Sequence, residues 1–258
     1  MRKIIGVIQI VFAVPWIIFG VQHFMYVDFV ANIVPQYFPA RWFWVYLTGA
    51  AMIAAGFSFI VNKKSSLAAA LLGTMLLTFI LLIHVPTIAG EPSVINWTRA
   101  LQDLAIASIA FMLAGIVSGE RSETKILHKV AKLSRYLLAI LLIVFGVQQF
   151  LNLDFLAAKV PVFLPLRLFW VYLTGAAMIV TGLSILADKR TRLIAIVTGT
   201  IMLTINLLYH GYALSNGLHV PLNWTAAMLD LAITCGVFIL AAASPNNEHD
   251  FVQNNEVN

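Results

Sequence analysis

The chain has 258 residues, of which 61% are apolar and 10% charged, with a mean hydropathy of +0.91. Soluble globular domains carry about 25% charged residues, so that class is excluded, and the net charge of +5 reads as a loop bias, with no nucleic-acid partner expected. The single cysteine, Cys235, rules out a disulfide framework and C-x-x-C thiol exchange within the chain.

The predicted elements are eight apolar blocks at 4–25, 42–61, 67–86, 98–117, 136–153, 168–187, 193–212 and 222–243. Each is about 20 residues long, enough to cross a hydrocarbon core about 30 Å thick. They form two sets of four, because the chain repeats itself. Phe43-Trp-Val-Tyr-Leu-Thr-Gly-Ala-Ala-Met-Ile53 recurs letter for letter as Phe169–Ile179, an offset of 126. The same offset pairs Phe19-Gly20-Val21-Gln22 with Phe145-Gly146-Val147-Gln148, Asp28 with Asp154, Pro35 with Pro161, Pro39 with Pro165, and His84 with His210. After a slip to 127, Asn96-Trp97-Thr98 matches Asn223-Trp224-Thr225 and Asp103 matches Asp230.

The expected fold is therefore an all-α membrane protein of eight transmembrane helices, built as two parallel four-helix-bundle repeats. Residues 1–118 form the first repeat, 119–135 a cytoplasmic linker, 136–243 the second repeat and 244–258 a disordered cytoplasmic tail. Lys and Arg gather in cytoplasmic loops. With the N-terminus inside, only Arg41, Arg99, Lys159 and Arg167 of the 16 basic residues fall on the outer face, so both termini are expected in the cytoplasm.

The first block is expected to be a retained helix, since no small-x-small cleavage site follows it and its repeat mate lies mid-chain. Pro15 is expected to kink it. A loop rich in aromatics (Tyr26, Phe29, Tyr37, Phe38) and holding Pro35 and Pro39 should lie in the membrane interface. The second block opens with the aromatic belt Trp42-Phe43-Trp44-Val45-Tyr46 and continues into Gly49, Ala50, Ala51, Ala54, Ala55 and Gly56, small residues that let helices approach closely. The third runs to His84. Its mate, the seventh, runs to His210 and adds Asn206 four residues earlier, on the same face, where the first half has Ile80. The fourth block takes Asn96 as its expected N-cap. Asp103 follows, with Arg99 four residues before it as an available partner; Ala226 takes Arg99's place in the second half.

The repeated polar residues with chemical potential gather at the outer ends of the blocks. Trp44, Tyr46 and Thr48, with Trp170, Tyr172 and Thr174, open the second and sixth; His84 and His210 close the third and seventh; Asp103 and Asp230 lie in the first turns of the fourth and eighth. An ionisable group at membrane depth needs a partner, and the expected partners are His84 for Asp103 and His210 for Asp230. With Asn206, these residues are the ligand-binding candidates; no catalytic residue is assigned. The competing reading of each pair is a structural clamp, because a carboxylate in the first turns of a helix is favoured by the macrodipole. No metal site is expected from two ligands without H-x-x-H or E-x-x-H spacing, and no nucleophile elbow supports a Ser-His-Asp hydrolase.

Phe19-Gly20-Val21-Gln22-His23-Phe24, Trp44-Val45-Tyr46-Leu47-Thr48-Gly49, the Pro-containing loop between them and the late His84, each with its counterpart in the second half, resemble the DoxX-like family of membrane proteins. The resemblance implies small four-helix subunits in the plasma membrane of a bacterium or archaeon. It also implies quinone-linked redox systems, such as thiosulfate:quinone oxidoreductase or methylamine dehydrogenase maturation, with soluble redox partner proteins. One departure stands out. The family often carries Glu three residues after the glycine of the second helix, where this chain has Met52 and Met178. The expected function is thus a membrane subunit that binds a quinone or similar apolar ligand in an outer-leaflet pocket. In it, His84 or His210 would donate to a carbonyl, and Asp103 or Asp230 would fix the imidazole tautomer. The sequence carries no haem, flavin or cluster motif, so no covalent cofactor is expected and electrons would come from a partner. An assembly scaffold and, third, a small-molecule transporter are the alternatives.

Overall fold

The structure, a computed structural model, describes residues 2–119 and 125–244. The expected tail beyond Ser244 and the linker centre at 120–124 lie outside the described residues. Among the described residues there is no strand. Helices run in the order α1 (Arg2–Met25), α2 (Val27–Ala31), α3 (Arg41–Ile60), α4 (Ser65–Phe79), a π-helical turn (Ile80–His84), α5 (Val85–Gly90), α6 (Val94–Val117), α7 (Lys125–Leu151), α8 (Leu153–Lys159), α9 (Arg167–Leu186), α10 (Thr191–Asn216) and α11 (Pro221–Ala243). Eight stretches are long and apolar enough to cross a membrane: α1, α3, the run Ser65–Gly90, α6, α7, α9, α10 and α11. The chain is a multi-pass membrane protein in this sense, one stretch for each apolar block. The helical stretches overrun the blocks where polar residues still favour helix: α7 starts at Lys125, so residues 125–135 are helical. Helix α1 continues through Pro15.

Glycines set the closest packing. Gly20 of α1 faces Gly49 and Ile53 of α3, while Gly56 faces Ala13 and Ile17. Residue numbers rise along one helix as they fall along the other, so α1 and α3 are antiparallel. Gly146 against Gly175 and Ile179, and Gly182 against Ala139 and Ile143, give α7 and α9 the same arrangement. A Cβ on Gly20 would sit 2.6 Å from the Gly49 carbonyl oxygen. The small residues are therefore a backbone-to-backbone seam, the kind that holds helices together where lipid removes the hydrophobic drive between them. Gly73 beneath Phe111 joins α4 to α6, and Gly199 beneath Phe238 joins α10 to α11.

Among the described residues, the chain's two halves meet chiefly through the following helix pairs. Helix α6 packs on α7, α11 packs on α1, and α6 meets α11. Helices α6 and α11 are the most enclosed of the eight, and the fully buried Ile106, Ile109, Leu113, Ile239 and Leu240 place the core between them.

The connections reuse one backbone. Among the described residues, the six non-glycine residues in the left-handed region fall into matched positions: Ala40 and Leu166 before α3 and α9, Asn62 and Asp188, Lys64 and Arg190 in the hairpins. At these hairpins the same junction is made with different chemistry. Gln9 donates to Asn62 Oδ1 at 3.3 Å and to the Phe59 carbonyl at 2.7 Å, whereas Arg135, 126 residues later, donates to Asp188 Oδ1 at 2.7 Å.

One expectation is corrected. The N-cap of α6 is Ser93, whose extended backbone turns the chain in and whose Oγ accepts from the Asn96 amide at 3.2 Å. Asn96 is already the third helical residue, and its side chain donates back to the Glu91 carbonyl at 2.9 Å. The helix begins earlier than its apolar block because a Ser three residues ahead can satisfy the free amide.

Candidate functional site

Two His–Asp pairs sit at the end of the molecule opposite the hairpins. His84, last residue of the π turn, donates from Nε2 to Asp103 Oδ2 on α6 at 2.9 Å. His210 on α10 donates to Asp230 Oδ2 on α11, also at 2.9 Å. The carboxylate named as each histidine's partner is the one it meets, and Arg99 is not among the ion-pair partners of Asp103.

The halves reach this geometry by different routes. Pro86 has no amide to offer the Leu82 carbonyl and its ring crowds that oxygen, so the helix opens into the π turn. The Tyr37 hydroxyl supplies the missing donor, at 2.6 Å from Leu82 O. In the second half Tyr212 stands where Pro86 does, and α10 runs on without interruption. There Phe163 replaces Tyr37 and packs edge-on against Tyr212, ring centres 5.6 Å apart. In both halves the aromatic loop is thereby tied to the helix that carries the histidine.

Exposure separates the pairs. His84 and Asp103 side chains are each 18% exposed, while His210 is 5% and Asp230 49% exposed. The Tyr209 ring stands edge-on to the His210 ring, with centroids 4.6 Å apart. Thr174 donates to Gln149 Oε1 at 2.6 Å, and Gln149 Nε2 reaches Met178 Sδ at 3.5 Å. That contact brings an amide against Met178. In the first half His23 takes the place of Gln149 and donates from Nδ1 to its own helix, at Phe19 O, 2.7 Å away. Thr48 is half-buried. Asn206 is buried, and its Nδ2 has no hydrogen-bond partner among the described residues.

The aromatic candidates form a rim. Trp44 and Trp170 donate from Nε1 to the Pro39 and Pro165 carbonyls at 3.1 and 2.9 Å, anchoring the loops. Tyr46 stacks on Phe24 and Tyr172 on Phe150, both tyrosines being exposed. The structure thus brings together each His with its Asp and Thr174 with Gln149, and it holds the Trp and Tyr side chains on the outside of the α1–α3 and α7–α9 pairs. An open hollow of about 500 Å³ at the α9–α10 hairpin contains none of these residues.

One contact escapes sequence reasoning, and a second, made by a glutamine expected to hydrogen-bond between helices, shows its partner only in the structure. Gln149 is visible in the sequence only as the residue that replaces His23, and its bond to Thr174 depends on how α7 and α9 are rotated. Gln22 links the halves: its Nε2 donates to the Pro221 carbonyl at 3.1 Å, and Thr225 donates to its Oε1 at 3.4 Å. The recurrence of Gln22 and Thr225 in both repeats was the available signal.

Chemically, each aspartate holds the Nε2–H of its histidine and leaves Nδ1 free of partners among the described residues. Nδ1 then accepts from a ligand hydroxyl when the ring is neutral, and donates to a ligand carbonyl when the ring is protonated. Such a pair can pass one proton to or from a ligand oxygen. The chain matches no family model, no curated protein and no solved structure.

Proposed function

We propose that this chain is a membrane subunit of a quinone-linked redox system, a tandem pair of DoxX-like units that binds a quinone at the His–Asp end. The observation that carries the reading is the duplicated Nε2–Oδ2 bond, His84–Asp103 and His210–Asp230, in helices that are predominantly apolar. Ionisable groups kept in such helices mark binding or proton-transfer sites. A quinone is apolar enough to arrive from the bilayer, and its carbonyls can accept from Nδ1 of the protonated ring.

In this reading protonated Nδ1 donates to a quinone carbonyl and surrenders one of the two protons that quinol formation consumes, the second coming from solvent at the same end of the molecule. A soluble redox partner supplies the two electrons. The two units are parallel, with both termini in the cytoplasm and the His–Asp end toward the outer leaflet of the plasma membrane. Supporting the paired arrangement, α1 on α11 and α7 on α6 are equivalent contacts, and Ile109 of α6 meets Gly236, its mate at offset 127.

The test is mass spectrometry of the lipids and quinones that stay with the full chain after purification in mild detergent. Quinone at or above half a molecule per chain supports the reading. Its absence, with phospholipid retained, counts against it.

A further inference from the structure

The duplication allows the interiors of the halves to be compared position by position, and they differ. Thr181, Thr198 and Asn206 occupy the places that Ala55, Leu72 and Ile80 hold in the first half. All three polar residues are buried. Thr181 donates to Thr198 Oγ1 at 2.8 Å, which sets the register of α9 against α10. Eight residues on from Thr198 lies Asn206, and seven back from Thr181 lies Thr174. At 1.5 Å per residue both are roughly 10–12 Å from the threonine pair, so Asn206 and Thr174 share a level. Thr174 in turn holds Gln149 of α7.

Asn206 is 8% exposed and its Nδ2 is without a hydrogen-bond partner among the described residues. The neighbouring Thr174, Gln149, Thr181 and Thr198 are all hydrogen-bonded, and the other buried unpaired side-chain atom among the described residues is Trp16 Nε1 on α1. A buried amide left unpaired among apolar helices is costly and calls for an explanation. One turn beyond it on the same face is His210, 4% exposed, with Tyr209 against its ring. The first half has Ile83 where Tyr209 stands and a π turn beneath its histidine.

We infer that the second half alone forms the ligand site, with Asn206 Nδ2 as a neutral donor to one oxygen of the ligand while His210 Nδ1 engages another. The ligand is an apolar ring bearing at least two acceptor oxygens, met by side chains about 5–6 Å apart at their Cβ atoms. The first half serves as its structural counterpart. This rests on the quinone reading and sharpens it to one site per chain and one specificity-determining amide.

The experiment is titration of the full chain in lipid nanodiscs with a short-chain benzoquinone, in wild type, Asn206→Leu and the control Ile80→Leu. The expected result is one quinone bound per chain, at least tenfold weaker binding in Asn206→Leu, and a change below twofold in Ile80→Leu. Leucine removes the unpaired amide at similar volume, so the melting temperature of Asn206→Leu is expected to hold or rise while affinity falls. A structural role would lower both stability and affinity. Two quinones per chain, or undiminished affinity in Asn206→Leu, overturns the inference and leaves the quinone reading intact. No saturable binding to wild type overturns both. Should Asn206→Leu fail to accumulate, the wild-type stoichiometry decides.

Discussion

Gly236 packs directly on Ile109, the residue that the 127-residue offset makes its own repeat mate, and no room is left there for a Cβ. Two equivalent residues touch where a symmetry axis passes between them, so on the proposed arrangement this contact marks the pseudo-two-fold. Gly236→Val should overpack it and cost about 1–3 kcal/mol. Ile109→Ala, which vacates the same space, should restore much of the loss. Reversible unfolding in mixed micelles of the two single variants and the double variant reads the coupling; additive losses would mean that the residues do not share the space.

The Tyr37 hydroxyl does the work of the amide that Pro86 lacks. Tyr37→Phe should destabilise the protein by about 0.5–1.5 kcal/mol, the ordinary worth of one hydrogen bond. Restoring the amide with Pro86→Tyr, as in the second half, should make Tyr37→Phe nearly neutral. Thermal unfolding of the four combinations measures this, and an equal cost in both backgrounds would contradict the assignment.

Gln22 ties α1 to the start of α11, while Gln148, its mate, makes no such bond among the described residues. Gln22→Leu should therefore cost about 0.6 kcal/mol, with 1.7 as a ceiling for a hydrogen bond between membrane helices. Gln148→Leu should cost less. The comparison is made by unfolding the two variants side by side; the reverse order would show that Gln22 is not what joins the halves here.

The eight spans and the His–Asp pairs were legible because strong constraints wrote them. A crossing needs a fixed length of apolar chain, and an ionisable group inside it needs a partner within reach, which left His84 for Asp103 and His210 for Asp230. What could not be read depends on helix rotation and on the chain's own backbone. The Gln149–Thr174 bond requires knowing which faces of α7 and α9 meet. The π turn arises from one missing amide at Pro86, and the cap of α6 from Ser93, which lies ahead of Asn96 and of the apolar run. Trp44, Trp170, Tyr46 and Tyr172 have a composition that suits an interfacial belt and a pocket wall equally. Only their bonds to Pro39 and Pro165 and their stacking on Phe24 and Phe150 reveal how they are held.

The central claim is that the His–Asp end binds a quinone through imidazole. It is tested most directly by quinone affinity in nanodiscs, comparing wild type with the His84→Ala/His210→Ala double variant, folding being verified by size exclusion and circular dichroism. Losing a hydrogen bond to a charged group costs about 1.5–3 kcal/mol, so the expected result is binding weakened by about 10- to 100-fold. Unchanged affinity in a folded double variant would contradict it and leave the two pairs as clamps between helices.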